Sequence, residues 1–286
     1  MSITRMGEAR MRQVEVDGVA VHYVEHGPPD AARTAVMLHG FTADHQMMTA
    51  CLEPMFAQRR GWRRIYLDLP GMGRTPAPPR IDSTDAVFEV VRRAVAALTE
   101  REHVLIGCSY GGAMARGLVA ADPDRVSGLA LICPGVVFEI ERRDLPAAQV
   151  ISRDDALVAE LQPAEAEEFL PAAVVQQRAE WGRFRDEVLS GAALADPASL
   201  QRIRQRYAPT FPVESRVFER PTVILTGRQD AVVGYADPWR LLRHYPRATF
   251  AVLDRAGHHL QIEQPTIFET MISEWLDRVE EAGSRG

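Results

Sequence analysis

One short stretch, HVLIGCSYGG at residues 103–112, constrains the fold of this chain more than any other. An apolar run at residues 104–106 leads into a turn with Ser109 at its apex, and a helix-like segment follows. Strand, sharp turn and helix form the setting in which Gly-x-Ser-x-Gly exposes a serine as a nucleophile. Glycines at both flanks suit such a turn, because two backbones approach closely there. The stretch therefore predicts an α/β sheet with a reactive serine at one edge.

Composition limits the classes of protein to which the chain can belong. Its 286 residues are 46% hydrophobic and 25% charged, which is ordinary for one large globular domain or one domain with a substantial insertion. The net charge of −6 and the lack of a basic run argue against nucleic acid as a partner. We expect a small-molecule substrate and a monomer or homodimer.

Targeting signals and cysteines point to the cytoplasm. No run approaches the roughly 20 apolar residues of a membrane span, and residues 1–13 lack the apolar core of a signal peptide. The three cysteines are an odd number without metal-like spacing, which is typical of reduced thiols in a cytoplasmic protein. We expect a soluble cytoplasmic protein without a membrane partner.

The remaining chain alternates strands with helices. Asp17-Gly18 separates two alternating runs and predicts a hairpin. Helical periodicity covers residues 83–98, with Ser83 as N-cap, and residues 265–279. Further buried strands are expected at residues 34–38, 64–67, 126–132, 222–226 and 249–253. The pattern predicts a mostly parallel, twisted sheet of about eight strands, with an antiparallel N-terminal edge and flanking helices.

Residues 136–218 differ from the rest of the chain. The apolar runs stop, and charged, alanine-rich helical segments punctuated by prolines replace them. We interpret this segment as a helical cap (lid) inserted after the sixth strand. Residues 1–135 and 219–286 then form the α/β core domain.

Five polar residues come directly after predicted strands. They are His39, Asp68, Ser109, Asp230 and His258. In mostly parallel sheets, active residues gather beyond the carboxyl ends of strands. A serine hydroxyl needs a base within hydrogen-bond reach, and the base needs an orienting group. In elbow hydrolases the serine precedes the acid and the acid precedes the histidine, which is the order found here.

The chain resembles α/β-hydrolase-fold serine hydrolases with a helical cap. The motifs that carry the resemblance are His-Gly-Phe at residues 39–41, DLPGMG at 68–73, GCSYG at 107–111, GRQD at 227–230 and Ala-Gly-His at 256–258. They occur in the family order over roughly residues 13–280. The resemblance implies a catalytic triad in which Ser109 is the nucleophile, His258 the base and Asp230 the orienting acid.

Several alternatives remain open. Asp237 and Asp254 compete for the role of the acid, and His259 adjoins His258. A third ligand does not accompany His259 and Glu263, so we expect no metal. Residues 71–73 lack the glycine spacing of a nucleotide loop, so we expect no cofactor. His39 is interpreted as a structural residue and Cys108 as a small turn residue.

The attacked carbonyl develops a negative oxygen, which needs preorganised donors. The expected oxyanion hole consists of the backbone N–H groups of Phe41 and Tyr110. The predicted substrate pocket is apolar and lined by Phe41, Met47, Met48, Phe138 and Trp181.

The sequence thus predicts cleavage of a small ester-like acyl substrate, a carboxylester, thioester or lactone, through an acyl-enzyme. One alternative is a carbon–carbon bond hydrolase that acts on vinylogous diketones with the same triad. The other is a non-catalytic small-molecule sensor built on the same fold.

Overall fold

A computed structural model describes residues 9–284 of the chain. The strands, in chain order, are β1 (Arg10–Val16), β2 (Val19–His26), β3 (Arg33–Leu38), β4 (Trp62–Leu67), β5 (His103–Cys108), β6 (Val126–Ile132), β7 (Ser152–Arg153), β8 (Val175–Gln176), β9 (Thr222–Gly227) and β10 (Ala248–Leu253). Eight of them form one sheet in the order β1-β2-β4-β3-β5-β6-β9-β10, and β7 pairs with β8 separately. The predicted eight-stranded sheet is confirmed.

The strand pairing follows from burial and turn chemistry. β1 and β2 are joined by Asp17 and Gly18, both with positive φ, which makes the predicted tight hairpin. β2 also pairs antiparallel with β4, and the remaining neighbours in the sheet are parallel. β5 is buried along its whole length, as expected for a central strand covered on both faces. The sheet is therefore mixed, with its antiparallel strands at the N-terminal edge.

Helices cover both faces of this sheet. The described residues form α1 (His45–Phe56), α2 (Thr84–Leu98), α3 (Tyr110–Ala121), α4 (Asp155–Glu160), α5 (Pro163–Ala172), α6 (Arg178–Phe184), α7 (Ser190–Ala192), α8 (Pro197–Gln205), α9 (Ala236–Trp239), α10 (Leu260–Glu263) and α11 (Pro265–Gly283). α2 and α3 pack into one hydrophobic core, and α1 and α11 pack into the other. Neighbouring side chains of one strand enter different cores, Met37 that of α1 and Leu38 that of α2, because strand side chains alternate in direction.

Two helix predictions differ in how well their ends agree with the structure. The side chain of Ser83 accepts a hydrogen bond from the N–H of Ala86, so α2 begins at the predicted N-cap. α11 continues to Gly283, beyond the predicted end at Val279. The sequence analysis did not predict α1. Pro54 lies inside its last turn, and a proline there argues against a helix when only the sequence is considered.

Residues 136–218 contain α4 to α8 and the short β7–β8 pair, which the sequence did not predict. A hydrophobic cluster of their own holds α4, α5 and α6 together, and Ile262 of α10 joins it. Its buried members in the helical segment are Leu157, Phe169, Ala173, Trp181, Phe184 and Val188. Leu200 and Ile203 of α8 instead pack into the core that contains α2 and α3. The division into a core domain and a cap remains a prediction, and its outermost residues, 1–8 and 285–286, lie outside the described residues.

Among residues 9–284, no helix has both the length and the apolar composition that crossing a membrane requires. The prediction that the N-terminus carries no signal peptide concerns residues that lie mostly outside this range.

Asp68, directly after β4, is the centre of a buried hydrogen-bond network. Its Oδ2 lies 2.7 Å from Nδ1 of His22, and its Oδ1 lies 2.8 Å from Nδ1 of His45. The backbone N–H groups of His45 and Arg74 also donate to this carboxylate. Burial opposes its ionisation, but the bonds from the two histidines outweigh burial and hold the pKa of Asp68 well below its usual range. Asp68 thus joins β2, α1 and the loop after β4.

Replacing Asp68 with asparagine is expected to lower the free energy of unfolding at pH 7 by about 3 kcal/mol, because buried donors lose their charged acceptor. Since the folded state depresses this pKa, the stabilisation is present above the unfolded pKa of about 4 and is lost as pH falls below it. Urea unfolding at pH 7 and at pH 3 measures both effects. A difference between the two proteins that stays constant across this range would contradict the account.

Candidate active site

Ser109 occupies the turn between β5 and α3 in a backbone conformation that L-residues rarely adopt. Its φ is 52° and its ψ is −113°. The N–H of Ser109 donates to Ile132 O at 2.9 Å, and its own carbonyl accepts from Gly112 and Gly135 at 3.0 Å. These bonds to neighbouring segments maintain the strain, which is a common feature of active sites. The side chain is partly exposed at the N-terminus of α3.

The glycines on either side of Ser109 are required by close packing. A Cβ at Gly107 would lie 2.4 Å from the carbonyl oxygen of Gly111. One at Gly111 would lie 2.2 Å from the carbonyl oxygen of Leu38 in β3. Any larger residue would push α3 away from the sheet, so the motif reflects the geometry of the turn.

Three of the predicted residues meet in a hydrogen-bonded relay. His258 Nε2 lies 2.9 Å from Ser109 Oγ, and His258 Nδ1 lies 3.0 Å from Asp230 Oδ2. An ionised carboxylate only accepts hydrogen bonds, so Nδ1 carries a proton and Nε2 is left to accept from the serine hydroxyl. Asp230 is fully buried, and His258 is 9% exposed.

Asp230 is held as a carboxylate in spite of its burial. Desolvation alone would raise its pKa, but His258 and two backbone N–H groups lower it below its usual value. Those N–H groups belong to Val232 and Val233, and they donate to Oδ1 at 2.8 and 3.0 Å. Each carboxylate oxygen thus has its own donors, which fixes the orientation of Oδ2 toward the imidazole.

The three residues that competed with Asp230 and His258 for their roles make contacts elsewhere. Asp237 accepts from the N–H of Asp144 and pairs with Arg240. Asp254 accepts from the side chain of Gln229. His259 packs edge-on against Phe184 with 5.1 Å between ring centroids, and burial lowers its pKa to about 3. The structure therefore brings His258 and Asp230 to Ser109, and places the three competitors elsewhere.

The two expected oxyanion donors lie on adjacent segments. Tyr110 is the first residue of α3, so its N–H is one of those that no helical carbonyl can accept. Within residues 9–284, neither this N–H nor that of Phe41 donates to a protein acceptor. Their rings pack edge-to-face, 5.2 Å apart. Neither N–H is thus used by another protein group, and that of Tyr110 lies at the positive end of α3.

His39 secures the loop that carries Phe41. Its Nε2 accepts from the N–H of Leu69 at 2.9 Å, so its Nδ1 donates to the carbonyl of Gly40 at 2.7 Å. Burial lowers the pKa of His39, which favours this neutral form. The ring is completely buried and bridges the loops after β3 and β4. These contacts of His39 are structural, as the sequence predicts.

An open cavity of about 480 Å³ adjoins this site. Its wall includes Phe41, Phe138, Tyr207, Arg143 and Arg204. Ser109 is not part of the wall. However, the ring of Phe138 lies beside Gly135, whose N–H donates to the carbonyl of Ser109. Phe41 and Phe138 thus line a cavity next to Ser109, and their role as substrate-pocket residues remains a prediction.

The other three predicted pocket residues are buried in hydrophobic cores. Met48 and Met47 belong to the core under α1, although the sulfur of Met47 lies beside Gly40. Trp181 packs against Phe169 in the cluster formed by the helices of residues 136–218. The expectation that Met48 and Trp181 line the pocket is corrected, because their helices direct both side chains into packed interiors.

Two groups of side chains have a composition that suits a metal ion. In the described part of the chain, potential ligand atoms lie within 4.8 Å of one another in His22, His45 and Asp68, and in Cys133, Asp230 and His258. In both groups the histidines and the aspartate are already hydrogen-bonded to one another, and the thiol of Cys133 donates to the carbonyl of Gly257.

Sequence reasoning missed the role of Glu263. This buried carboxylate accepts three backbone hydrogen bonds close to His258. The sequence offered no clear signal for this role, because apolar and polar residues alternate in Leu260–Glu263.

Known proteins resemble the chain over nearly its whole length. The alpha/beta hydrolase fold family matches residues 35–265. A putative 2-succinyl-6-hydroxy-2,4-cyclohexadiene-1-carboxylate synthase of Bacillus subtilis (strain 168) is 29% identical, over 92% of this chain and 97% of that protein. A 2-hydroxy-6-oxononadienedioate/2-hydroxy-6-oxononatrienedioate hydrolase of Pseudomonas putida is 26% identical, over 94% and 95%.

A solved structure also resembles this chain over most of its length. The alpha/beta superfamily hydrolase of Oenococcus oeni PSU-1 superposes with a TM-score of 0.82 at 26% identity, and the match covers 91% of this chain and 96% of that one. Its name agrees with the family that matches residues 35–265. Sheet order, elbow and family match lead to one conclusion: the chain belongs to the α/β-hydrolase fold family.

Proposed function

We propose that the protein is a serine hydrolase that cleaves a small ester-like acyl substrate through an acyl-enzyme. The observation that carries this proposal is the relay from Ser109 Oγ to His258 Nε2 at 2.9 Å and from His258 Nδ1 to Asp230 at 3.0 Å. A base at that distance accepts the hydroxyl proton as the oxygen attacks. The carboxylate holds the required tautomer and stabilises the imidazolium that forms.

The proposed reaction needs only the substrate and water. Ser109 Oγ attacks the carbonyl carbon while its proton moves to His258, and the N–H groups of Phe41 and Tyr110 hold the resulting oxyanion. The tetrahedral adduct collapses, and His258 returns the proton to the leaving oxygen or sulfur. Water then attacks the acyl-enzyme by the same route and releases the acid and free Ser109.

Carbon–carbon bond hydrolysis is the second candidate. It is favoured by the similarity to the Pseudomonas putida hydrolase, whose name specifies a dienedioate substrate. The same three side chains are available for that reaction, and the aromatic wall formed by Phe41, Phe138 and Tyr207 suits an extended conjugated substrate equally well.

Comparing substrates distinguishes these candidates. We expect turnover of p-nitrophenyl acetate or butyrate, or of a small thioester or lactone, measured as kcat/KM. If a vinylogous diketone is preferred by about 100-fold or more, the second candidate replaces the first. Tight binding of a small ligand without turnover of any of these compounds would contradict both and support a sensor.

A further inference from the structure

Glu263 is a buried carboxylate that lies between two segments distant in sequence. It ends α10, five residues after His258, and is 6% exposed. Its Oε1 accepts from the backbone N–H groups of Val174 and Val175 at 2.6 and 3.0 Å. Its Oε2 accepts from the N–H of Gly257 at 2.5 Å. One side chain therefore bonds three backbone donors.

The donors belong to segments that matter for the site. Gly257 directly precedes His258, so a hydrogen bond from its N–H restrains the loop that carries the histidine. Val174 and Val175 lie at β8, within residues 136–218, and the carbonyl of Val174 accepts from Ile151. The two oxygens of Glu263 thus join the histidine loop on one side to β8 on the other.

Only a carboxylate satisfies this arrangement. A glutamine of the same shape offers one acceptor oxygen, and its NH₂ group would face either Gly257 or the two valines, donor against donor. The cost of burying the charge raises the pKa of Glu263 to about 7, although the three N–H groups favour the charged form. A hydrophobic residue would avoid that cost but would leave three buried N–H groups without acceptors.

We infer that Glu263 is a positioning residue that clamps the His258 loop against β8 and so keeps His258 Nε2 within reach of Ser109 Oγ. The inference rests on the proposed function for its kinetic consequence only. Glu263 acts through the backbone of Gly257 and does not touch the reacting atoms. Asp230 holds the Nδ1 side of the ring, and Gln229 holds the loop at Ala256. Glu263 adds a restraint at Gly257, directly before His258.

Glu263→Gln tests the clamp, and Gln176→Leu is its matched control. Gln176 is also buried and also secures β8, since its Nε2 donates to the carbonyls of Leu170 and Ala173. Both variants loosen β8, but only the first alters the side chain that accepts from Gly257. Glu263→Asp keeps two acceptor oxygens on a shorter side chain and serves as a second variant should the glutamine protein fail to fold.

Two readouts are measured on the full chain: kcat and KM with p-nitrophenyl butyrate, and the downfield proton resonance of His258 Nδ1–H. Glu263→Gln is expected to lower kcat by about 100-fold with KM within about threefold, because a displacement of about 1 Å at a catalytic group costs this much. Glu263→Asp should fall between the glutamine variant and the wild type. The resonance should shift or broaden in both Glu263 variants and stay unchanged in Gln176→Leu.

Equal losses of kcat in Glu263→Gln and Gln176→Leu, with the resonance unchanged in both, would overturn the inference. Wild-type kcat and resonance in the glutamine variant would do the same. If the wild-type protein hydrolyses no ester, thioester or lactone, the proposed function fails. The resonance then decides the inference on its own, because it depends on the His258–Asp230 bond and needs no substrate.

Discussion

Replacing Ser109 with alanine is expected to lower kcat for p-nitrophenyl butyrate by roughly 10⁴- to 10⁶-fold, as removal of a nucleophile does in triad hydrolases. The substitution removes one oxygen from a partly exposed turn and leaves the elbow backbone and its bonds to Ile132 and Gly135 in place. The folded protein should therefore persist while the covalent step disappears. Initial rates at saturating substrate, with the unfolding transition as a check on folding, measure the effect.

Cys108 is the matched control for this experiment. It adjoins Ser109, but it is fully buried, and burial raises the pKa of its thiol to about 12. Such a thiol is neither accessible nor ionised at neutral pH, so Cys108→Ala should retain most of the activity. More than about 1% residual activity in Ser109→Ala, or a comparable loss in Cys108→Ala, would assign the nucleophile elsewhere.

The second large effect concerns two adjacent histidines. His258→Ala should lower kcat by roughly 10⁴- to 10⁶-fold, because the serine then has no base and the leaving group no acid. His259→Ala removes the same kind of ring from the next position. Its ring packs against Phe184 and makes no bond to Ser109, so kcat should fall by less than about tenfold.

The thermal midpoint shows whether each variant is folded when its activity is measured. His259 fills a packed interface with Phe184, so its removal should destabilise the protein by about 1–3 kcal/mol. His258→Ala should also destabilise the protein, because it leaves the buried Asp230 carboxylate without its imidazole donor. If His259→Ala proves the less active of the two, the assignment of the base is wrong.

The parts of the fold that the sequence predicted are those defined by local patterns. Apolar runs predict the central strands, because both faces of these strands are buried. Asp17-Gly18 predicts the hairpin, because both residues tolerate the positive φ that its turn requires. The order of Ser109, Asp230 and His258, together with the family resemblance, indicates which strand ends meet, and the structure places these three side chains in one relay.

What the sequence did not predict depends on contacts between distant segments. β7 and β8 have two residues each and no pattern of their own; they exist because they pair with one another. Met48 and Trp181 have side chains suitable for a pocket, but their direction depends on how α1 and α6 pack. Glu263 gains its partners from residues 174, 175 and 257, which only the fold brings together.

Reaction with a fluorophosphonate tests the central claim most directly, because the reagent phosphonylates a serine only where a base activates it. Mass spectrometry of the wild-type protein should show one adduct per chain, located on Ser109. Ser109→Ala should form none, and His258→Ala should react at a small fraction of the wild-type rate. An adduct on another residue, or no adduct on folded wild-type protein, would contradict the proposed serine hydrolase.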